Sequence, residues 1–358
     1  MTRTGRLVFA DLGRAVGALL VVYSNVTAIW GTRQHRISSS VLNVLDSVTR
    51  TPLHLSEQGI GQVAVPLFFL ISGFVVTPAA LAEGRGRFAL RRAVRIYPLL
   101  AVTVVLAAVL VLVGAHPLRI GAAPSVTPVA VLTDITLLNY FLTPQHVLVA
   151  VAWTLAVELL FYTLLVVLVP LFRRSTVAAI GVESAFVAVV LATSRVLGPD
   201  YHLFAVSVSF LPAVFVGQIV WAARAGRIRM WVAGLYGALA WALYIAAELL
   251  DLGRVNGSYD IALAYAIVLF IVGLLVEPRM RPARWITFLA DRSYAIYLLH
   301  GVVLFPVLDL LTRYLPLLLA LVVGLAVTLG VVELGHRFVE VPCRRLVPAQ
   351  QAAQSINS

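Results

Sequence analysis

Long runs without a charged residue dominate the chain. Residues 58–82, 96–118, 201–223 and 314–332 contain no Asp, Glu, Lys or Arg. A helix that crosses a membrane needs about 20 apolar residues, at about 1.5 Å of rise each. Runs of this kind predict about ten spans, near 8–30, 61–80, 95–115, 147–171, 176–195, 203–222, 230–250, 259–277, 285–306 and 315–336. Residues 116–146 are apolar but rich in Pro and Gly, and they contain Arg119 and Asp134. We read that stretch as an external re-entrant or interfacial segment. The predicted fold is all-α: a polytopic membrane protein built as a bundle of about ten transmembrane helices.

Composition agrees. Hydrophobic residues make up 61% of the 358, charged residues 12%, and mean hydropathy is +0.97. A soluble domain carries about 25% charged residues, so a water-soluble enzyme is excluded, and the apolar content excludes disorder. The net charge is +11, and every basic residue is arginine. A basic protein invites a nucleic-acid reading. These arginines instead alternate from loop to loop, as the positive-inside rule requires of a membrane protein with both termini in the cytoplasm. The N-terminal segment carries Asp11 and no small-residue cleavage site, so it reads as a first span rather than a cleaved signal. One transmembrane domain, 1–346, is followed by a short polar cytoplasmic tail, 347–358, expected to be disordered. The single Cys343 excludes an intrachain disulfide and a cysteine metal site. The histidines show no metal-ligand spacing, and no metal is expected.

A strongly polar side chain at membrane depth costs about 2.5 kcal/mol or more, so such residues point to function. Arg14 and Asn25 share a face of the first span with Ala18, but lie about 16 Å apart along the axis at 1.5 Å per residue. That describes a polar track better than one ion pair; two separate helix–helix contacts fit equally well. Glu158 shares a face with Thr154 and Tyr162 in the fourth span, and Arg14 is its obvious partner. Glu183 suits a packing role. Arg85, Arg87, Arg91, Arg92 and Arg95 cluster before the third span. Guanidinium groups suit phosphates, but composition alone reads the cluster first as a clamp on the anionic headgroups of membrane lipids. Tyr294, Tyr297 and His300 form a stripe in the ninth span.

Six segments together resemble the acyltransferase 3 family of integral-membrane O-acyltransferases. They are DLGRAVGALLVVYSN, PLFFLISGF, RRAVRIYP, WTLAVELLFY, SYAIYLLH and FVEVPCRRL, in the family's order along nearly the whole chain. The resemblance implies transfer of an acyl group from cytosolic acyl-coenzyme A to a hydroxyl of an extracytoplasmic glycan, glycolipid or related carbohydrate acceptor, in a bacterial inner membrane. It implies that Arg91, Arg92 and Arg95, with Tyr97 in the same segment, meet the coenzyme. It places Arg14, Glu158 and the residue at 25 in the reaction chamber. The family carries histidine at that last position, and this chain has Asn25. An amide cannot act as a base. Three explanations fit: a deliberate His-to-Asn change that holds a donor complex unreacted, an inactive natural protein, or another base, with His300 nearest in depth. From the residues alone, a glycolipid or metabolite transporter, or a silent envelope scaffold, also fits charges inside a membrane; no inverted repeat supports the transporter.

Overall fold

The computed structural model describes residues 7–34, 44, 47–48, 52–55, 59–118, 125–252 and 259–347. Among these there is no strand, and ten helices are long and apolar enough to cross a membrane. They match the spans expected from the sequence one for one. The protein is an all-α polytopic membrane protein. The tail from 348 onward, and most of the 31–60 loop, lie outside the described residues.

Helix α1 (Val8–Ser24) continues into a π-helical segment, Asn25–Gln34. Next come α2 (Ala64–Glu83), α3 (Arg85–Leu112) and a short α4 (Pro128–Thr136). After these run α5 (Trp153–Arg174), α6 (Thr176–Thr193), α7 (Pro199–Val208), α8 (Leu211–Arg224) and α9 (Met230–Leu249). The bundle closes with α10 (Tyr259–Val276), α11 (Arg284–Leu311), α12 (Leu317–Gly335) and α13 (Val341–Leu346). Outward faces are apolar: Val105, Val109 and Leu112 on α3, and Leu318 and Val322 on α12, are exposed. Such surface needs lipid rather than water against it.

Two boundaries differ from expectation in useful ways. The third span begins at Arg85, ten residues before the predicted 95, so the arginine cluster is helical. The turn before it is one residue, Gly84, at φ 79, a left-handed conformation that glycine adopts without strain. Arg173 closes the turn by donating to the Leu81 carbonyl at 2.9 Å, and Arg85 donates to the Val166 carbonyl at 2.7 Å. The 116–146 stretch is not a candidate span among the described residues. Its α4 is held by Asp134, which accepts from Asn139 Nδ2 at 3.1 Å and from the Leu148 N–H. Burial pushes the Asp134 carboxyl up to about 7, against the backbone N–H groups that favour its charged form.

The centre of the bundle depends on close approach of α2 and α8. A Cβ added to Gly73 would sit 1.9 Å from the Val214 carbonyl oxygen, and one added to Gly217 would sit 1.9 Å from that of Leu70. Small residues let helix backbones meet where no hydrophobic effect drives them together. We expect Gly73→Ala to destabilise by about 3 kcal/mol, the upper end for overpacking, because backbone rather than a flexible side chain must move. Thermal unfolding in detergent measures this, with Gly237→Ala as the control, since nothing lies within 4 Å of a Cβ there.

Candidate active site

Two cavities are stacked inside the bundle. The first is small, about 90 Å³, carries charged side chains, and lies toward the end with the arginine cluster. Arg14 from α1, Arg92 and Arg95 from α3, and Glu158 and Tyr162 from α5 face it, with Ser72 and Tyr294. The second is larger, about 310 Å³, and contains no charged residue among its described lining. Aliphatic side chains such as Val21, Leu118 and Val206 line it together with amides, hydroxyls and rings, among them Asn25, Gln62, Tyr140, His202 and Tyr259. Val65 and Tyr297 line both cavities, so the two adjoin there.

The charge in the first cavity is unbalanced. Three guanidinium groups face one carboxylate. Glu158 accepts from the Tyr162 hydroxyl at 2.9 Å, while Arg14 has Asp11 at 4.0 Å. Among the described residues no ion pair joins Arg14 to Glu158; they share the cavity rather than a bond. Arg92 lies over the rings of Phe88 and Tyr162, at 5.1 and 5.3 Å from their centroids, and its buried Nε has no hydrogen-bond partner. The rings fix the guanidinium by cation–π contact and leave donor capacity unused. A cavity of this composition attracts an anion.

The arginines divide by where the helix points them. Arg91 is paired with Glu83 across the Gly84 turn and is not among the residues lining either cavity. Of the three arginines expected to meet the coenzyme, Arg92 and Arg95 line the charged cavity and Arg91 lines neither. Tyr97 is also outside both linings and packs against the hydrophobic core. One position along a helix turns a side chain by about 100°, so neighbours in RRAVR cannot all face inward.

Asn25 stands where α1 changes to π-type winding, a local irregularity common at functional sites. Its Nδ2 lies 2.8 Å from His300 Nε2. His300 Nδ1 lies 2.7 Å from the Tyr297 carbonyl and 3.1 Å from that of Ile296. A carbonyl only accepts, so Nδ1 carries the proton, and Nε2 accepts from the Asn25 amide. His300 is fully buried and faces neither cavity, whereas Asn25 faces the uncharged one. Asn25 and His300 thus stand side by side, with Asn25 on the cavity side.

The family model described as "Acyltransferase domain" matches residues 7–334. The chain belongs to the acyltransferase 3 family. It is a membrane acyltransferase, and the match ends just before the FVEVPCRRL segment and α13. Nodulation protein 10 of Rhizobium leguminosarum bv. viciae is 27% identical over 274 residues, spanning 67% of this chain and 71% of that protein. No solved structure matches this acyltransferase. Sequence reasoning missed most of the uncharged cavity, His202 included; its only signal is a polar residue at the start of an otherwise apolar run.

Proposed function

We propose that this acyltransferase moves an acyl group from cytosolic acyl-coenzyme A to a hydroxyl of an extracytoplasmic carbohydrate or glycolipid in a bacterial inner membrane. The observation that carries the reading is the segregation of charge between two adjoining cavities. Three arginines and one glutamate line one, and no charged residue among those described lines the other. An anionic, phosphate-bearing donor suits the first; a neutral hydroxylated acceptor suits the second. Arginines crowding the end near the first cavity support a cytoplasmic position for that end and for both termini.

The chemistry follows from that arrangement. The acceptor hydroxyl oxygen attacks the thioester carbonyl, the acyl–sulfur bond breaks, and the thiolate leaves with the coenzyme. The hydroxyl proton passes to a base, and the developing oxyanion needs donors already in place. Arg14, at the cavity where the thioester arrives, is such a donor. Protein and bilayer walls keep competing water out.

We expect Arg92→Ala combined with Arg95→Ala to weaken acyl-coenzyme A binding by about tenfold or more, the loss of charge-assisted hydrogen bonds. Arg91→Ala should leave donor affinity within about twofold, since Arg91 is paired with Glu83 and faces neither cavity. Isothermal titration, or protection from thermal unfolding by the donor, measures both. Unchanged affinity in the double variant would mean that these arginines clamp lipid headgroups instead.

A further inference from the structure

We propose that Tyr297 is the movable partition between the two cavities, and that the donor and acceptor meet only when its ring swings aside. The proposal rests on the reading of the cavities as donor and acceptor chambers. Of the aromatic side chains lining them, Phe68, Phe69, Tyr162 and Tyr294 face only the charged cavity, and Tyr140, Trp153, Phe210 and Tyr259 only the uncharged one. Tyr297 alone among these rings faces both.

The ring reaches from α11 to the opposite wall. Its hydroxyl donates to the Val151 carbonyl at 3.0 Å and accepts from Thr154 Oγ1 at 2.9 Å. Thr154 lies in the first turn of α5 and Val151 just before it, so these two bonds tie α11 to the entry of α5 across the boundary. Phe68 meets the ring edge-on, with centroids 6.0 Å apart. Reacting atoms must come within about 3–3.5 Å of each other, and a ring between the chambers prevents that.

The tether is built to release. Both bonds are between neutral groups, whose net contribution in proteins is modest. Thr154 Oγ1 has a second acceptor, the Val151 carbonyl at 3.3 Å, so its hydroxyl stays satisfied when Tyr297 leaves. Thr154 lies one helical turn before Glu158, which places the tether beside the charged cavity's carboxylate. Closed, the partition keeps water in the acceptor chamber from the thioester. Open, it admits the acceptor hydroxyl.

Thiol accessibility tests this without needing any acyl transfer. In full-length protein carrying Cys343→Ser, Ser72→Cys puts a thiol in the charged cavity and Ser207→Cys one in the uncharged cavity. A membrane-impermeant methanethiosulfonate is added to vesicles of each orientation, and the side that labels Ser207→Cys defines the acceptor side. From that side, Ser72→Cys should react slowly with Tyr297 present and about tenfold faster or more with Tyr297→Ala, as expected when a tethered plug is removed. Tyr297→Phe, which keeps the ring and loses the tether, should fall between. Equal rates for Ser72→Cys in all three, with Ser207→Cys unchanged, overturn the proposal. Should Tyr297→Ala fail to fold, the near-isosteric Tyr297→Phe decides: faster labelling supports the partition and an unchanged rate sinks it. That failure would leave the acyl-transfer reading standing, since labelling does not depend on it.

Discussion

Glu158→Gln is expected to lower acyl transfer by about 100-fold or more, the lower end of what a preorganised electrostatic group contributes. Glu158 is the one carboxylate facing the charged cavity, against Arg14, Arg92 and Arg95. Inside a bundle those three positive charges repel one another with little screening, and the carboxylate offsets part of that repulsion. Glutamine keeps the shape and can still accept from the Tyr162 hydroxyl, so its effect isolates the charge. Glu158→Ala should abolish transfer and also lower the unfolding temperature, because removing one member of a buried set strands the others. The measurement is release of free coenzyme A thiol with acceptor present, in the Asn25→His background, beside a melting curve for each variant. Full activity in Glu158→Gln would show that the negative charge is dispensable and would remove Glu158 from the reaction.

Much of this was legible because membranes make sequence blunt. A predominantly apolar run of some 20 residues with few charges has few alternatives to a spanning helix, so the ten spans could be read directly. Depth was legible too. Asn25 lies 17 residues after Val8, and His300 lies 16 after Arg284, on helices that cross in the same direction; at 1.5 Å per residue both sit about 25 Å along. Their hydrogen bond follows once α1 and α11 pack together. Arg91 against Arg92 was not legible, since both follow Gly84 on one helix, and only the packing of α3 decides which faces inward. The uncharged cavity was illegible for a different reason. Gln62, Tyr140, His202 and Tyr259 come from four distant segments, and no local period links them.

Asn25→His is expected to raise acyl transfer by about 100-fold or more, the span usually assigned to a general base. The chain as it stands should bind the donor and turn over slowly or not at all. Asn25 faces the uncharged cavity, the proposed acceptor chamber, and donates its amide to His300 Nε2. An imidazole in the same place can make the same donation with one ring nitrogen. Its other nitrogen then presents a lone pair to the cavity, where a hydroxyl proton is to be accepted. His300, fixed by its own bond to the Tyr297 carbonyl, sets which nitrogen carries the proton. This is the base-plus-orienting-group arrangement that activates hydroxyl nucleophiles elsewhere. His300→Ala in that background should reduce the rate by disordering the new imidazole, whereas His300→Ala alone should change little. His202 supplies the decisive control, because it is an imidazole that already lines the uncharged cavity. If the unaltered chain transfers acyl groups at about 1 per second or faster, an ordinary enzyme rate, and His202→Ala abolishes that activity, then the base is His202. His300 is too enclosed for that part, since Asn25 stands between it and the cavity.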